Sequence, residues 1–217
     1  MEDFSQNEGF IWYDGELVEW KDTKIHVLTH GLHYASSVFE GERCYDGKIF
    51  REIEHTQRLH HSANTLGFEI PYSVEEICEI RKIVLKANNI TNGYIRPVAW
   101  RGSEMMGISA QRNKIHLAVA AWEWPSYYSP EARLKGIKLQ LTKWRRPSPE
   151  TAPISTKAAG LYMICTLAKH EAESNGCEDA LMLDYRGYIA ETTSANIFLV
   201  IDNEIHTPLA DCFLNGI

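Results

Sequence analysis

Apolar residues recur along this chain with two periods, and the switches between them mark its elements. Over residues 9–20, apolar and polar positions alternate on both sides of Asp14-Gly15, the pattern of a tight hairpin. A second such pair, Asp46-Gly47, divides a strand over 38–45 from one over 48–51. Residues 54–66 then place Leu59, Ala63 and Leu66 on one helical face, with Gly67 just past the end. Ser73-x-x-Glu76 is a capping box that opens a helix to about residue 88. Its apolar positions Val74, Ile77, Ile80, Ile83, Val84 and Ala87 follow three-and-four spacing. Residues 94–100 and 115–122 read as strands, the second apolar on both faces. Pro125-Ser126-Tyr127-Tyr128-Ser129-Pro130 reads as a connection, after which Ile137, Leu139 and Leu141 alternate. A helix over 160–175 stops at Gly176, and strands follow at 179–184, 187–191 and 196–201. Strands and helices mix without regular βαβ alternation, so the pattern predicts an α+β fold in two halves. The expected boundaries are residues 1–124, an interdomain loop at 125–135, and 136–217.

Composition narrows the classes. The 217 residues are 44% apolar and 24% charged, an ordinary globular balance with enough chain for one large core or two small ones. A net charge of −7 without a basic run argues against nucleic acid as a partner. Five cysteines, none in C-x-x-C spacing, predict reduced thiols. Neither a secretory n-region and h-region nor a membrane-length apolar run is visible, so no membrane association and a cytoplasmic location are expected. His30, His33 and the histidines near Arg58 lack an acidic or cysteine ligand to complete a set, so no metal site is expected.

The candidate chemistry rests on three residues far apart in sequence. Lys157 lies in Ser155-Thr156-Lys157-Ala158-Ala159-Gly160-Leu161-Tyr162, Glu191 in Ile189-Ala190-Glu191-Thr192-Thr193-Ser194, and Arg58 on an early helix. Alone, each is an ordinary solvated charge. Together they offer an amine to an aldehyde, a carboxylate to a pyridinium nitrogen and a fork to a phosphate, the needs of pyridoxal phosphate. The small residues after Lys157 leave room for a flat ring. Shielded from water and near another cation, its amine is expected to lose its proton more readily and so act as nucleophile and proton carrier. Tyr162 can set a phenol beside the ring oxygen, and Thr192, Thr193 and Ser194 offer groups for a phosphate or carboxylate. The sequence holds no glycine-rich phosphate loop and no G-x-S-x-G elbow.

Several motifs, in order, resemble the class IV pyridoxal-phosphate aminotransferases and, among them, the branched-chain amino acid aminotransferases. They are His30-Gly31-Leu32-His33-Tyr34-Ala35-Ser36-Ser37-Val38-Phe39-Glu40-Gly41, Gln57-Arg58-Leu59-His60, Tyr94-Ile95-Arg96-Pro97, Lys157-Ala158-Ala159-Gly160-Leu161-Tyr162, and Ile189-Ala190-Glu191 with Asn196-Ile197-Phe198. The resemblance covers essentially the whole chain. It implies a two-domain fold type IV enzyme, like D-amino acid aminotransferase. The implied cofactor is pyridoxal phosphate, and the implied reaction moves the amine of L-leucine, L-isoleucine or L-valine to 2-oxoglutarate.

By position, the resemblance makes Lys157 the catalytic residue and gives Arg58, Tyr162, Glu191, Ser194 and Ile217 to the cofactor. It places Tyr34, Phe39, Ile108, Trp124 and Tyr127 along the substrate pocket, and has Arg43, Tyr94 and Arg96 manage carboxylates. The implied partners are small amino acids, 2-oxo acids and a second copy of the chain, with residues 27–38 as lid or interface. A D-amino acid aminotransferase or an aminodeoxychorismate lyase would share the fold and cofactor; an inert binding module is the reading from another class. Family members continue past the equivalent of Ile217 with the rest of a phosphate loop and a helix N-terminus. An incomplete C-terminal domain and weak cofactor binding are therefore expected.

Overall fold

The computed structural model describes residues 3–124 and 130–217. Their packing separates two units, Met1–Pro125 with Lys157–Gly160, and Ser126–Thr156 with Leu161–Ile217. Tyr127 and the rest of 125–129 lie outside the described residues. The boundary between the halves departs from the sequence expectation. Pro130–Lys135 is helical where a loop was expected, and Lys157–Gly160 belongs with the first unit rather than with its sequence neighbours.

The first unit begins with the predicted hairpin, β1 (Phe10–Tyr13) and β2 (Glu16–Glu19). Asp14 and Gly15 both take positive φ, 48° and 117°, as a turn matched to strand twist requires. A short helix α1 (His30–Tyr34) follows. The single strand expected over 38–45 is in fact two, β3 (Ser37–Phe39) and β4 (Glu42–Tyr45), broken at Glu40-Gly41. After β5 (Lys48–Ile49) come α2 (Glu52–Thr65) and α3 (Val74–Ala87), then the long strands β6 (Gly93–Arg101) and β7 (Ile115–Glu123). The sheet order is β2-β1-β7-β6-β4-β5, with β3 also pairing with β6. Both β3 and β4 run antiparallel along one edge of β6, so their break falls beside Pro97. Proline has no N–H for a ladder. The Glu40 N–H instead donates to the Pro97 carbonyl at 2.9 Å. A Cβ at Gly41 would strike the Tyr94 hydroxyl, so only glycine fits the bend.

One face of this sheet is dry. Val38, Cys44, Ile95, Ala99, Leu117 and Val119 pack there with Leu59 and Ala63 of α2 and Ile77, Ile80 and Val84 of α3. The capping box of α3 is present in both directions: Ser73 N–H to Glu76 at 2.6 Å, and Glu76 N–H to Ser73 Oγ at 3.2 Å. Ile83, expected on the apolar face, is 46% exposed, while Arg81 is fully buried. The reason is Glu42, which β4 turns into the core. Arg81 Nη2 and Nε donate to its Oε1 at 2.7 and 3.1 Å, and Nη1 donates to Thr56 at 2.5 Å. On the other face, Tyr94, Arg96 and Val98 stay half-buried.

The second unit holds α4 (Pro130–Lys135), β8 (Leu139–Arg146), α5 (Met163–Ser174), β9 (Asp179–Asp184), β10 (Ile189–Thr192) and a hairpin of β11 (Leu199–Ile201) and β12 (Glu204–His206). β8 and β9 are parallel, and β10 returns antiparallel to β9. Ala168 and Ala172 let α5 approach the sheet closely, where it packs with Ala180 and Met182. The helix expected from residue 160 starts as a 3-10 turn, Ala159–Tyr162, before α5. The strand expected from 187 starts at 189 because Gly187, at φ 97°, still belongs to the turn.

Glu40 and Glu42, two residues apart and both buried, respond oppositely to their surroundings. Burial pushes Glu42 up to about 7, and Arg81 opposes this only in part. Burial also raises Glu40, but hydrogen bonds from Arg58 and His55 outweigh it and hold that carboxyl below its usual 4.5. Arg58 donates Nε to Oε1 at 2.6 Å and Nη2 to Oε2 at 2.9 Å, and His55 Nδ1 lies 2.8 Å from Oε2. The raised group gives stability that is complete below pH 4.5 and is lost as pH climbs to about 7. The depressed group gives stability present above pH 4.5 and lost as pH falls beneath it. Urea midpoints measured across this range check both signs: Glu42→Gln should flatten the neutral limb and Glu40→Gln the acid limb. Arg81→Ala strands a buried carboxylate and should cost about 3–5 kcal/mol.

Candidate active site

Lys157 is held by its backbone before its side chain matters. Its N–H donates to Ser62 Oγ of α2 at 3.0 Å, and its carbonyl accepts from the Phe39 N–H at 3.2 Å. Ala158 pairs with Val38 in an isolated antiparallel bridge, which draws the segment against β3. Small residues permit the approach: Ala158 is buried, and a Cβ at Gly160 would come within 3.1 Å of the Ala35 methyl. The amine then lies 4.9 Å from the centre of the Phe39 ring, and the Arg96 guanidinium lies 4.6 Å from the same ring. Ring faces attract both cations.

Arg96 Nη2 also donates to the Tyr94 hydroxyl at 3.1 Å. The Tyr94 ring packs on Trp122 at 5.1 Å and on Trp124 at 5.5 Å. Arg43 sits opposite Tyr94 in the ladder and stacks on Tyr45 at 5.3 Å. The Nε atoms of Arg43 and Arg96 are both buried with no hydrogen-bond partner. Buried donors of this kind call for an acceptor, and a carboxylate supplies one. Arg58, on α2, spends Nε and Nη2 on Glu40 and keeps its side chain 14% exposed. Tyr34 and Ile108 are 42% and 84% exposed. His30 joins them, stacking on Tyr34 at 4.6 Å and reaching the Gly107 carbonyl at 2.8 Å. Val27, Leu28 and Leu32, close to Tyr34 in the chain, are exposed as well.

In the second unit, Glu191 of β10 places Oε1 3.1 Å from Nε of Arg146 on β8. The Nε–H is not aligned on that oxygen, so the attraction is coulombic rather than a hydrogen bond. Arg146 is 3% exposed, and its Nη1 donates to the Leu161 carbonyl and the Cys165 sulfur, both at 3.3 Å. It gives the Glu191 carboxylate a permanent counter-charge. Tyr162 packs against the cluster around Cys165 and Ala168. Two hydroxyls expected for a ligand are engaged within the protein: Thr192 Oγ1 donates to the Ala195 carbonyl at 3.1 Å, and Thr193 Oγ1 to Asp179 at 2.5 Å. Ser194 stays exposed on that turn. A Cβ at Gly216 would strike the Asn196 side chain, which puts 216 beside the same turn; Ile217 is 46% exposed.

Sequence reasoning missed Glu40, His55, Ser62 and Arg146 as supports. Glu40 carried a signal, an acid directly after Val38-Phe39 in an apolar strand, where burial implies a partner. Arg146 carried a weaker one at the end of an alternating strand. His55 and Ser62 carried none. Asp184, Asp211 and Cys212 bring three potential ligand atoms within 4.8 Å. Arg186 bridges the two carboxylates at 2.7 and 2.8 Å and offsets one of their two charges.

Residues 37–217 match the family described as Amino-transferase class IV. A "Probable branched-chain-amino-acid aminotransferase" of Rickettsia conorii is 48% identical over 207 residues, 95% of this chain and 70% of that protein. The "Branched-chain-amino-acid aminotransferase" of Pseudomonas aeruginosa is 44% identical over 217 residues, covering 98% and 71%. The crystal structure of the Escherichia coli branched-chain amino acid aminotransferase superposes with a TM-score of 0.92 at 39% identity, covering 97% of this chain and 71% of that one. The T.th. branched-chain amino acid aminotransferase with pyridoxamine 5'-phosphate gives 0.93 at 40% identity, with 97% and 71% covered. On a family match spanning most of its length and relatives approaching half identity, this chain belongs to the class IV aminotransferases.

Proposed function

We propose that this chain acts as a branched-chain amino acid aminotransferase, which uses pyridoxal phosphate to pass the amine of L-leucine, L-isoleucine or L-valine to 2-oxoglutarate. The observation that carries this reading is the Phe39 ring, whose centre lies 4.9 Å from the Lys157 amine and 4.6 Å from the Arg96 guanidinium. A nucleophilic amine and a receiver for a carboxylate are what an α-amino acid presents itself to. The names of the relatives favour branched-chain substrates over D-amino acids or aminodeoxychorismate.

The residues fit the cofactor in their chemistry. The buried Arg43 and Arg96 donors without partners suit an anionic substrate, and the charge that Arg146 fixes on Glu191 suits a pyridinium nitrogen. When bound, pyridoxal phosphate supplies an aldehyde for the amine and a ring that takes up electrons from the substrate's α-carbon. Lys157 Nζ takes the proton from that carbon and later returns one. Glu191 would hold a proton at the ring nitrogen, and Tyr162 would serve the ring hydroxyl. In the first unit Arg58, braced by Glu40, would serve a phosphate; in the second, Ser194 and the backbone at Ile217 are the groups suited to one. Phe39 and Trp124 enclose the aliphatic side chain, which gains about 0.8 kcal/mol per buried methylene. Arg96 admits the second carboxylate of glutamate to the same space without leaving a charge unpaired.

The exposed apolar residues Val27, Leu28, Leu32, Tyr34 and Ile108 are the proposed contact with a second copy, making a homodimer that works on small molecules in the cytoplasm. No helix among the described residues is long and apolar enough to cross a membrane.

Two measurements test the reading. Absorbance after adding pyridoxal phosphate, followed by borohydride and peptide mapping, should place the label on Lys157. Lys157→Ala should lose the yellow adduct and drop transamination on the order of 10²–10⁴-fold; an adduct that survives would sink the assignment. Sedimentation velocity checks the contact, where Leu32→Glu should shift the protein towards monomer.

A further inference from the structure

Phe4 lies outside every strand of its unit, yet it is the half-buried residue in an otherwise exposed stretch, 3–6. Three contacts hold it. Asp3 caps the 3-10 turn Phe4–Gln6 by accepting from the Ser5 N–H. The Phe4 carbonyl accepts from Trp20 Nε1 at 2.7 Å. The Phe4 ring stands edge-on to Trp122 at 5.1 Å and 70°, and lies nearly parallel to Trp124 at 6.2 Å and 15°. Trp124 falls just past the end of β7 and also packs on Trp122 at 5.8 Å, so the Phe4 ring closes a cluster of aromatic side chains around it. From Trp124 the contacts run without a gap to the reactive amine: Trp124 to Tyr94 at 5.5 Å, Tyr94 to Arg96 at 3.1 Å, Arg96 to Phe39 at 4.6 Å, and Phe39 to Lys157 at 4.9 Å.

We propose that Phe4 is a positioning residue for substrate selection: it clamps Trp124 against Tyr94 and so sets the apolar wall beside Arg96. The inference rests on the aminotransferase reading and adds to it a role for the N-terminal segment. Without the Phe4 ring, Trp124 loses one of its aromatic neighbours and packs less firmly against Tyr94, and an aliphatic side chain loses part of its wall. The carboxylate contacts of Arg96 and the chemistry at Lys157 remain.

The test uses the full chain with pyridoxal phosphate and 4-methylpentanoate, an aliphatic acid that cannot donate an amine. Phe4→Ala and a deletion of residues 1–7 should each weaken 4-methylpentanoate binding about 3- to 10-fold, the worth of one or two aromatic pairs. Acrylamide quenching of tryptophan emission, read on the protein without cofactor, should rise in both. Phe4→Tyr, which keeps the ring, should restore affinity and quenching. In turnover, KM for L-leucine should rise with kcat held, as expected for binding lost equally from ground and transition states. Unchanged quenching, or equal affinity in Phe4→Ala and the unaltered protein, overturns the inference and leaves the functional reading standing. An unaltered protein that binds no 4-methylpentanoate overturns the functional reading, and this inference with it.

Discussion

A proline in the middle of a long strand organises the first unit. Pro97 gives β6 no N–H to offer at that point, so the neighbouring strand cannot run on as one piece. It breaks at Glu40-Gly41, and the break does three things at once. The Glu40 N–H satisfies the proline carbonyl, the Glu40 carboxylate turns inward to brace Arg58 and His55, and Phe39 ends its short strand with its N–H aimed at the Lys157 carbonyl. Glycine next door is fixed by the Tyr94 hydroxyl, which itself accepts from Arg96. A backbone hydrogen-bond deficit is thereby converted into the placement of an amine, two guanidinium groups and an aromatic face.

Charge handling in the two units follows one pattern. Each ionic group assigned to the cofactor or its phosphate is backed by a buried partner of opposite sign: Arg58 by Glu40, Glu191 by Arg146. Buried pairs of this type are expensive to desolvate and add little net stability, but they leave their members little freedom to rearrange. Fixed dipoles and charges need no reorganisation when charge shifts during a reaction, which is where such rigidity is useful. Glu42 and Arg81 show the same architecture without a ligand to serve. There the carboxyl rises to about 7 because desolvation outweighs its single partner.

Much of this was legible in the chain. The Asp14-Gly15 hairpin, the Ser73/Glu76 capping box, α2, α3, β6 and β7 all appear within a residue or two of where periodicity and turn chemistry place them. What was not legible depends on contacts between distant residues. Nothing local breaks residues 38–45; the cause is Pro97, far along the sequence, and it acts only once the strands pair. Ile83 obeys helical spacing yet faces outward because Glu42 draws Arg81 into the core instead. The hydroxyls of Thr192 and Thr193 looked available to a ligand, whereas a tight turn and Asp179 had already claimed them. The supports at His55 and Ser62 show themselves only when α2 lies across β3.

The bridge between Ala158 and Val38 has a consequence for how the polypeptide matures. The first unit is discontinuous: its edge beside Val38 is completed by residues more than a hundred positions later. A nascent chain that has emerged through residue 125 can pair β1 to β7 and close its core, yet the edge beside β3 remains open until the later segment arrives. Closing so long a loop is entropically slow. Lys157 is accordingly seated only after that first core has closed, so the nascent protein passes through a stage that is folded but has yet to place this amine.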